Sequence, residues 1–98
     1  MRYEIVLAPE AIEDLNALKA ATKAAVKDAL ETHLRHAPTK VSKSRIKRLR
    51  GVTRPQYRLR VDEFRVFYDV VGTYVEVLAI VAKSEAEQWL EKFATKAE

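Results

Sequence analysis

Three segments rich in β-branched and aromatic residues follow one another closely in the second half of the chain, at positions 56–61, 64–71 and 73–82. Only Asp62-Glu63 and a turn at Gly72 separate them. Connections this short allow antiparallel hairpins and exclude parallel crossovers, which need a dozen or more residues. The chain is therefore predicted to contain an antiparallel meander, whose apolar side other elements must cover.

The first forty residues are predicted to form the elements that cover the apolar side of this meander. Residues 2–7 alternate polar and apolar side chains like a strand, and Pro9 suits the first turn of a helix that should end near Ala21. A second helix is predicted with Thr22 as its cap and Pro38 as its stop, and it carries an apolar residue at every fourth position.

A last helix is predicted from Ser84, because Ser84 and Glu87 have the spacing of a capping box. The predicted fold is α+β with the order βααβββα. An antiparallel or mixed four-stranded sheet carries the N-terminal helical hairpin and the C-terminal helix, all on one face. At 98 residues the chain is predicted to form a single domain, residues 1–98.

The composition excludes several kinds of functional site and of targeting segment. The chain contains no cysteine, which excludes disulfides, thiolate metal sites and a cysteine nucleophile. Charged residues interrupt the apolar run in residues 1–15, so neither a signal peptide nor a membrane span is predicted. We expect a cytoplasmic protein that uses no metal and no other cofactor.

Positive charge is concentrated in one segment. Residues 40–60 hold nine of the 18 lysines and arginines and no carboxylate, whereas the flanking segments are mildly acidic. Such a block predicts an anionic partner, most simply RNA, although a solvated loop can also be basic by chance. The predicted RNA contacts are Lys43, Arg45, Lys47, Arg48, Arg50 and Arg54, with Trp89 as a ring that can stack on a base.

The first hairpin of the meander brings three arginines together. With Asp62-Glu63 as a two-residue turn, Arg60 stands opposite Arg65 and Arg58 stands opposite Phe67, on the face away from the core. We call Arg58, Arg60 and Arg65 the arginine cluster. Like charges in direct opposition destabilise a sheet, and an anion between them removes that penalty.

Guanidinium groups match phosphate bidentately, so the arginine cluster is predicted to bind phosphate. The alternative is that its members pair with surface carboxylates such as Asp69 or Glu76, or point separately into water. Three further residues have simple alternatives to a catalytic role. Glu63 can be a solvated turn carboxylate, and His33 and His36 are expected to be structural or exposed.

The segment LRGVTRPQYRLRVDEFRVFYDVVGTYVEVLAIVAKSEAEQWL resembles the C-terminal half of RelE-type toxins, within the RelE/ParE superfamily. It has a Leu-Arg-Gly turn, a Tyr-basic-apolar-basic strand and an aromatic-Arg-apolar-aromatic-Tyr strand. A hydrophobic strand and a basic residue then precede the last helix. The N-terminal strand and helical hairpin are similar to the same fold. The resemblance implies a toxin of a type II toxin–antitoxin system with a cognate antitoxin as its partner.

For RelE-type toxins, the resemblance implies a metal-independent endoribonuclease that cleaves mRNA on the ribosome through attack of a 2′-OH on the adjacent phosphate. On this basis Arg65 stabilises charge in the transition state, Arg58 and Arg60 hold phosphate, and Lys83 matches the basic residue before the last helix. The basic segment 40–54 then contacts ribosomal RNA.

The chain departs from RelE-type enzymes at two places. Trp89 stands where these enzymes often carry a tyrosine or histidine, and arginines replace the lysines of the first motif strand. Both changes preserve anion binding and weaken proton transfer. The alternatives are therefore a ParE-like inhibitor of DNA gyrase without nuclease activity, and a degenerate member that binds only its antitoxin or nucleic acid.

Overall fold

The chain folds into a mixed sheet with helices on both faces, as the computed structural model of residues 1–98 describes. The helices are α1 (Pro9–Asn16), α2 (Ala20–Ala29) and α3 (Ala86–Phe93). The strands are β1 (Glu4–Leu7), β2 (Ile46–Arg48), β3 (Val52–Arg54), β4 (Tyr57–Val61), β5 (Phe64–Val71), β6 (Tyr74–Ala82) and β7 (Thr95–Lys96). A wide helical turn, Leu30–Leu34, continues α2, and a 3-10 turn, Lys83–Glu85, precedes α3. None of these helices has the length and apolar content that crossing a bilayer requires.

The main sheet has the strand order β1-β6-β5-β4-β2. The predicted antiparallel meander β4-β5-β6 is confirmed, and β1 pairs with β6 in parallel, from Glu4 opposite Tyr74 to Leu7 opposite Val77. The α+β class is confirmed, with five strands in the sheet where the sequence predicts four. The fifth strand, β2, comes from the basic segment, and its three residues are too few and too polar to show a strand pattern.

The main core lies between the sheet and the helices α1 and α2. Val26, Leu30 and Leu34, which recur at every fourth position, are all buried there. Tyr68 is fully buried in the same layer, and its hydroxyl donates a hydrogen bond of 2.6 Å to the carbonyl of Pro38. This bond ties the end of the helical segment to the middle of β5.

The junction between α1 and α2 differs from the prediction. α1 ends at Asn16 instead of near Ala21, and Lys19 instead of Thr22 precedes α2. Leu18 packs against the core at this junction, so the chain reverses one turn earlier than its pattern suggests.

The opposite face of the sheet is covered by α3. Phe67 alternates along β5 with main-core residues and is itself fully buried, stacked against the ring of Trp89. The prediction that all helices share one face is therefore wrong for α3, because an amphipathic helix has an apolar side but no preference for either face of a sheet. The predicted capping box is also absent, since Glu85 precedes α3 and no side chain caps its first turn.

Beyond α3, β7 pairs with β3 in a separate two-stranded ribbon. The hydroxyl of Thr53 donates to the carbonyl of Thr95 at 3.3 Å, and the backbone N–H of Ala97 donates to the carbonyl of Gly51 at 3.0 Å. The ribbon thus fastens the residues that follow α3 to the segment between β2 and β4.

The strand β6, which lies between β1 and β5, contains a bulge. Its register with β5 shifts between Phe67 and Tyr68, which leaves Leu78 without a partner in β5. On the other edge of β6, β1 has already ended, and the backbone N–H of Ile80 donates instead to a carboxylate oxygen of Asp14 at 3.0 Å. A side chain of α1 therefore completes the hydrogen bonding of the sheet where β1 stops.

Candidate functional site

The predicted register of the first hairpin is confirmed. Arg60 lies opposite Arg65, and Arg58 lies opposite Phe67. In the two-residue turn, Asp62 has a φ of 50°, a left-handed conformation that aspartate tolerates. The arginine cluster therefore shares one face of this hairpin, on the side of the sheet that α3 partly covers.

Two more cations extend the cluster toward β2. Lys47 pairs with Arg58, so its side chain leaves the backbone on the same face. Just before β2, the backbone N–H of Arg60 donates to the carbonyl of Arg45 at 2.8 Å, and Nη1 of Arg45 donates to the carbonyl of Arg60 at 3.3 Å. The sheet thus places Arg45, Arg60 and Arg65 in one row, with Lys47 and Arg58 in the next.

Arg65 is the most enclosed member of the cluster, with 7% of its surface exposed. Its Nη1 donates hydrogen bonds of 2.9 Å to the backbone carbonyls of both Asp62 and Phe64. These bonds brace the hairpin turn and involve one nitrogen of the guanidinium, so the N–H donors on its other two nitrogens lie outside them. Arg65 is therefore held in place by the turn that it supports.

Arg58 is half-buried, and its Nε is enclosed without a hydrogen-bond partner. Burial lowers the pKa of Arg58, and the charges of Arg65 and Arg60 lower it further. An enclosed donor without an acceptor costs about 1–3 kcal/mol. An anion beside Arg58 would accept a hydrogen bond from Nε–H and would offset the repulsion among the three guanidinium groups.

Two carboxylates on this face are already paired with Arg54. Nε of Arg54 lies 3.2 Å from Oδ2 of Asp69, and its Nη2 lies 3.0 Å from Oε1 of Glu76. The backbone N–H of Gln56 donates to the other oxygen of Asp69 at 2.7 Å, although burial still raises the pKa of this carboxyl group. The arginine cluster is therefore not neutralised by Asp69 or Glu76, and Arg54, a predicted RNA contact, is occupied by them.

Trp89 forms a wall on the same face. Its ring is nearly parallel to that of Phe67, with centroids 4.9 Å apart and planes 4° apart, and it also meets Phe93 at 5.5 Å. One face of the indole is thus used to anchor α3. The remainder lines two surface clefts, one shared with Arg54 and the other with Lys92.

The other predicted site residues are dispersed. The backbone N–H of Lys83 donates to the carbonyl of Glu63 at 2.7 Å, so this exposed lysine stands near the hairpin turn. Arg48 pairs with Tyr57 and lies over its ring at 5.1 Å, on the face that carries the main core. Two more predicted contacts are exposed in the connecting segments, Lys43 and Arg50. The basic segment therefore divides its charge between both faces, because β2 alternates like any strand.

The sequence matches the model of the ParE toxin of the type II toxin–antitoxin system parDE over residues 5–87. Solved structures share the fold. A chain of the archaeal RelE-RelB complex from Pyrococcus horikoshii OT3 has a TM-score of 0.69 at 21% identity, over 85% of this chain and 97% of that chain. A chain of the RelBE2 toxin-antitoxin complex from Mycobacterium tuberculosis has a TM-score of 0.69 at 24% identity, over 84% and 99%. A double-arginine mutant of E. coli toxin RelE in the free state has a TM-score of 0.69 at 21% identity, over 93% of each chain. No curated protein matches the sequence significantly.

Fold and sequence together define a toxin of the RelE/ParE superfamily. The chain belongs to the ParE toxin family of type II toxin–antitoxin systems. The family resemblance seen in the sequence is thereby confirmed, and so is the RelE-like fold.

Proposed function

We propose that this toxin binds RNA through the arginine cluster and cleaves messenger RNA on the translating ribosome without a metal ion. The observation that carries the proposal is the enclosed Nε of Arg58, which has no acceptor in the protein and lies near two other arginines. Phosphate oxygens are acceptors that match guanidinium groups closely. The pairing of Arg54 with the carboxylates of Asp69 and Glu76 supports the proposal, because it leaves the cluster's charge available.

The proposed reaction is attack of a ribose 2′-OH on the adjacent phosphate. The new P–O bond forms as the bond to the 5′-oxygen of the next nucleotide breaks. The 2′-OH loses one proton and the leaving 5′-oxygen gains one, so the products are a cyclic phosphate and a 5′-hydroxyl. Negative charge grows on the phosphate oxygens in the transition state. Arg65, fixed by its bonds to the turn, stabilises this charge, while Arg58 and Arg60 hold the phosphate and Lys83 adds a cation near the turn.

Proton transfer is the step that these residues serve least. Arginine stays protonated in proteins, and the indole N–H of Trp89 donates hydrogen bonds but does not act as a general acid. The arginine cluster therefore contributes by binding and by charge stabilisation, and we expect a slower enzyme than one with a tyrosine or histidine at this place.

The proposed partners are a cognate antitoxin and the ribosome with its mRNA. The RelE chains that share this fold include members of RelE-RelB and RelBE2 complexes, which supports an antitoxin partner. We propose an acidic antitoxin segment that folds on binding and covers the basic face. On the ribosome, the exposed side chains of Lys43, Lys47 and Arg50 would contact ribosomal RNA.

A second candidate function is inhibition of DNA gyrase without nuclease activity. The match to a ParE toxin model favours it. The stacking of Trp89 on Phe67 favours it as well, because the indole serves the packing of α3 where a nuclease would carry a proton donor.

One experiment separates these functions. Purified toxin is added to a translating extract, mRNA ends are mapped, and DNA breaks are measured in a parallel gyrase reaction. Cuts that require translating ribosomes support the nuclease, whereas intact mRNA with DNA breaks supports the gyrase inhibitor. The absence of both mRNA cuts and DNA breaks would indicate a member that only binds its partners.

The variant that tests the site is Arg58→Ala, with Arg2→Ala as the matched control because Arg2 is exposed and lies outside both the cluster and the basic segment 40–60. We expect Arg58→Ala to lower the cleavage rate about 100-fold, as for the loss of a transition-state donor. Arg2→Ala should cleave at a rate close to that of the unchanged toxin. Normal cleavage by Arg58→Ala would remove the cluster from the mechanism.

A further inference from the structure

A second basic site lies outside the arginine cluster, in a cleft between the wide turn after α2 and the loop before β2. The cleft has a volume of about 240 Å³. Three basic side chains and two hydroxyl groups contribute to its walls, and no carboxylate does: His33, Lys40, Arg45, Thr32 and Ser42. This set of donors without an acidic partner is typical of an anion site.

The loop before β2 builds one wall of the cleft. Oγ of Ser42 accepts hydrogen bonds from the backbone N–H groups of Arg45, at 3.0 Å, and Ile46, at 3.2 Å. The backbone N–H of Ser42 donates to the carbonyl of Ile46 at 2.9 Å, which closes the turn. Since two donors already occupy the oxygen of Ser42, its hydroxyl proton is the group it offers to another acceptor.

His33 is held in an electrostatic environment that favours its neutral form. Burial lowers its pKa, and the charge of Arg45 lowers it further, while Asp28 on α2 raises it. Lys40 lines the same cleft and adds positive charge on the loop side. An anion in the cleft would offset the charges of Arg45 and Lys40 and thereby favour protonation of His33.

We propose that this cleft binds a phosphate group of an RNA strand, with Lys40 and Arg45 as charge partners and the hydroxyls of Thr32 and Ser42 as donors. The choice of RNA rests on the proposed function, whereas the binding of phosphate does not. Arg45 links the cleft to the arginine cluster, because its Nη1 also donates to the carbonyl of Arg60. One RNA strand can therefore contact the cluster and pass around the edge strand β2 into the cleft.

The test is a pH titration followed by NMR of the chain's two imidazole groups. The titration is made without ligand, with inorganic phosphate, and with a short 2′-O-methyl RNA that cannot be cleaved. We expect both ligands to raise the pKa of His33. His36 is the internal control, because it does not line the cleft and its Nδ1 lies 3.4 Å from the carbonyl of Met1.

Matched variants test whether the change in the pKa of His33 comes from phosphate bound in the cleft. Lys40→Ala should weaken phosphate binding about tenfold, as expected for loss of one charged hydrogen bond. Lys19→Ala, an exposed change that does not line the cleft, should leave phosphate binding unchanged. An unchanged His33 titration with both ligands, or equal losses in the two variants, would overturn the proposal. A response to phosphate without one to RNA would overturn the assignment of RNA. In Arg58→Ala the response of the His33 pKa to phosphate should persist. The proposal of phosphate binding in the cleft can therefore fail or hold independently of the proposal of nuclease activity.

Discussion

Arg60 lies directly opposite Arg65 in the antiparallel pair of β4 with β5. Because like charges in this position destabilise a sheet, Arg60→Thr should raise the free energy of unfolding by about 0.2–1 kcal/mol. Under the proposed function, it should also weaken RNA binding. Urea unfolding at low and high salt measures the first effect, and the gain should shrink at high salt because salt screens the repulsion. A destabilised variant would show that the two guanidinium groups do not repel each other in the folded protein.

Arg65→Ala should lower the free energy of unfolding by about 1–3 kcal/mol, because the carbonyls of Asp62 and Phe64 both lose a donor. Arg58→Ala removes no intramolecular hydrogen bond and relieves the cost of the enclosed Nε, so its free energy of unfolding should be at least as high as that of the unchanged protein. Chemical denaturation of the two variants side by side checks this difference. Equal stabilities would mean that the turn does not depend on Arg65.

Trp89 should tolerate an aromatic replacement. Since its ring packs flat on Phe67, Trp89→Phe should cost less than about 1.5 kcal/mol and keep growth arrest, whereas Trp89→Ala should cost about 3 kcal/mol. Thermal unfolding and a growth assay measure the two effects. Loss of growth arrest in a stable Trp89→Phe protein would assign the indole a direct role with the target.

Asp14 should matter more for stability than its half-buried position on α1 suggests. Asp14→Ala leaves the backbone N–H of Ile80 without its acceptor and should cost about 1–3 kcal/mol. Glu13→Ala, an exposed change on the same helix, is the control. Hydrogen exchange at the Ile80 amide gives a local measurement, and unchanged protection there would contradict the predicted bond.

His33 should make the fold less stable in mild acid. Its pKa is lowered in the folded protein, so it contributes stability above its ordinary value of 6.5, and this contribution is lost as the pH falls below that value. In His33→Gln the free energy of unfolding should fall less between pH 8 and pH 5.5. His36→Gln should keep the full pH dependence of the free energy of unfolding. Identical pH profiles for the two variants would contradict the assignment of this dependence to His33.

The hairpin of β4 and β5, which carries the arginine cluster, could be predicted from sequence because a two-residue turn fixes its register. Once Asp62-Glu63 is the turn, the alternation of strands places Arg58 and Arg60 on one face without further assumptions. The same local reasoning identified the buried residues of the second helix, whose apolar positions repeat. These features depend on neighbours in sequence, so the sequence alone suffices for them.

The remaining features depend on contacts distant in sequence. Nothing in the segment 46–48 indicates a strand until β4 offers it an edge. The amphipathic pattern of α3 does not indicate that Phe67, on the far face of the sheet, is the residue that Trp89 covers. The pairing of Arg54 with Asp69 and Glu76 likewise joins two strands and a loop, and no spacing rule predicts it.

The parallel pairing of β1 with β6 also bears on the order in which the toxin can fold. The meander closes through short turns, whereas Glu4 must wait for Tyr74 to emerge before β1 has a strand to join. During synthesis, α1 and α2 therefore precede the sheet that they cover. We expect a nascent chain to acquire its complete fold only after most of its length has left the ribosome, so that a chain interrupted before β6 is a substrate for proteases instead of an active toxin.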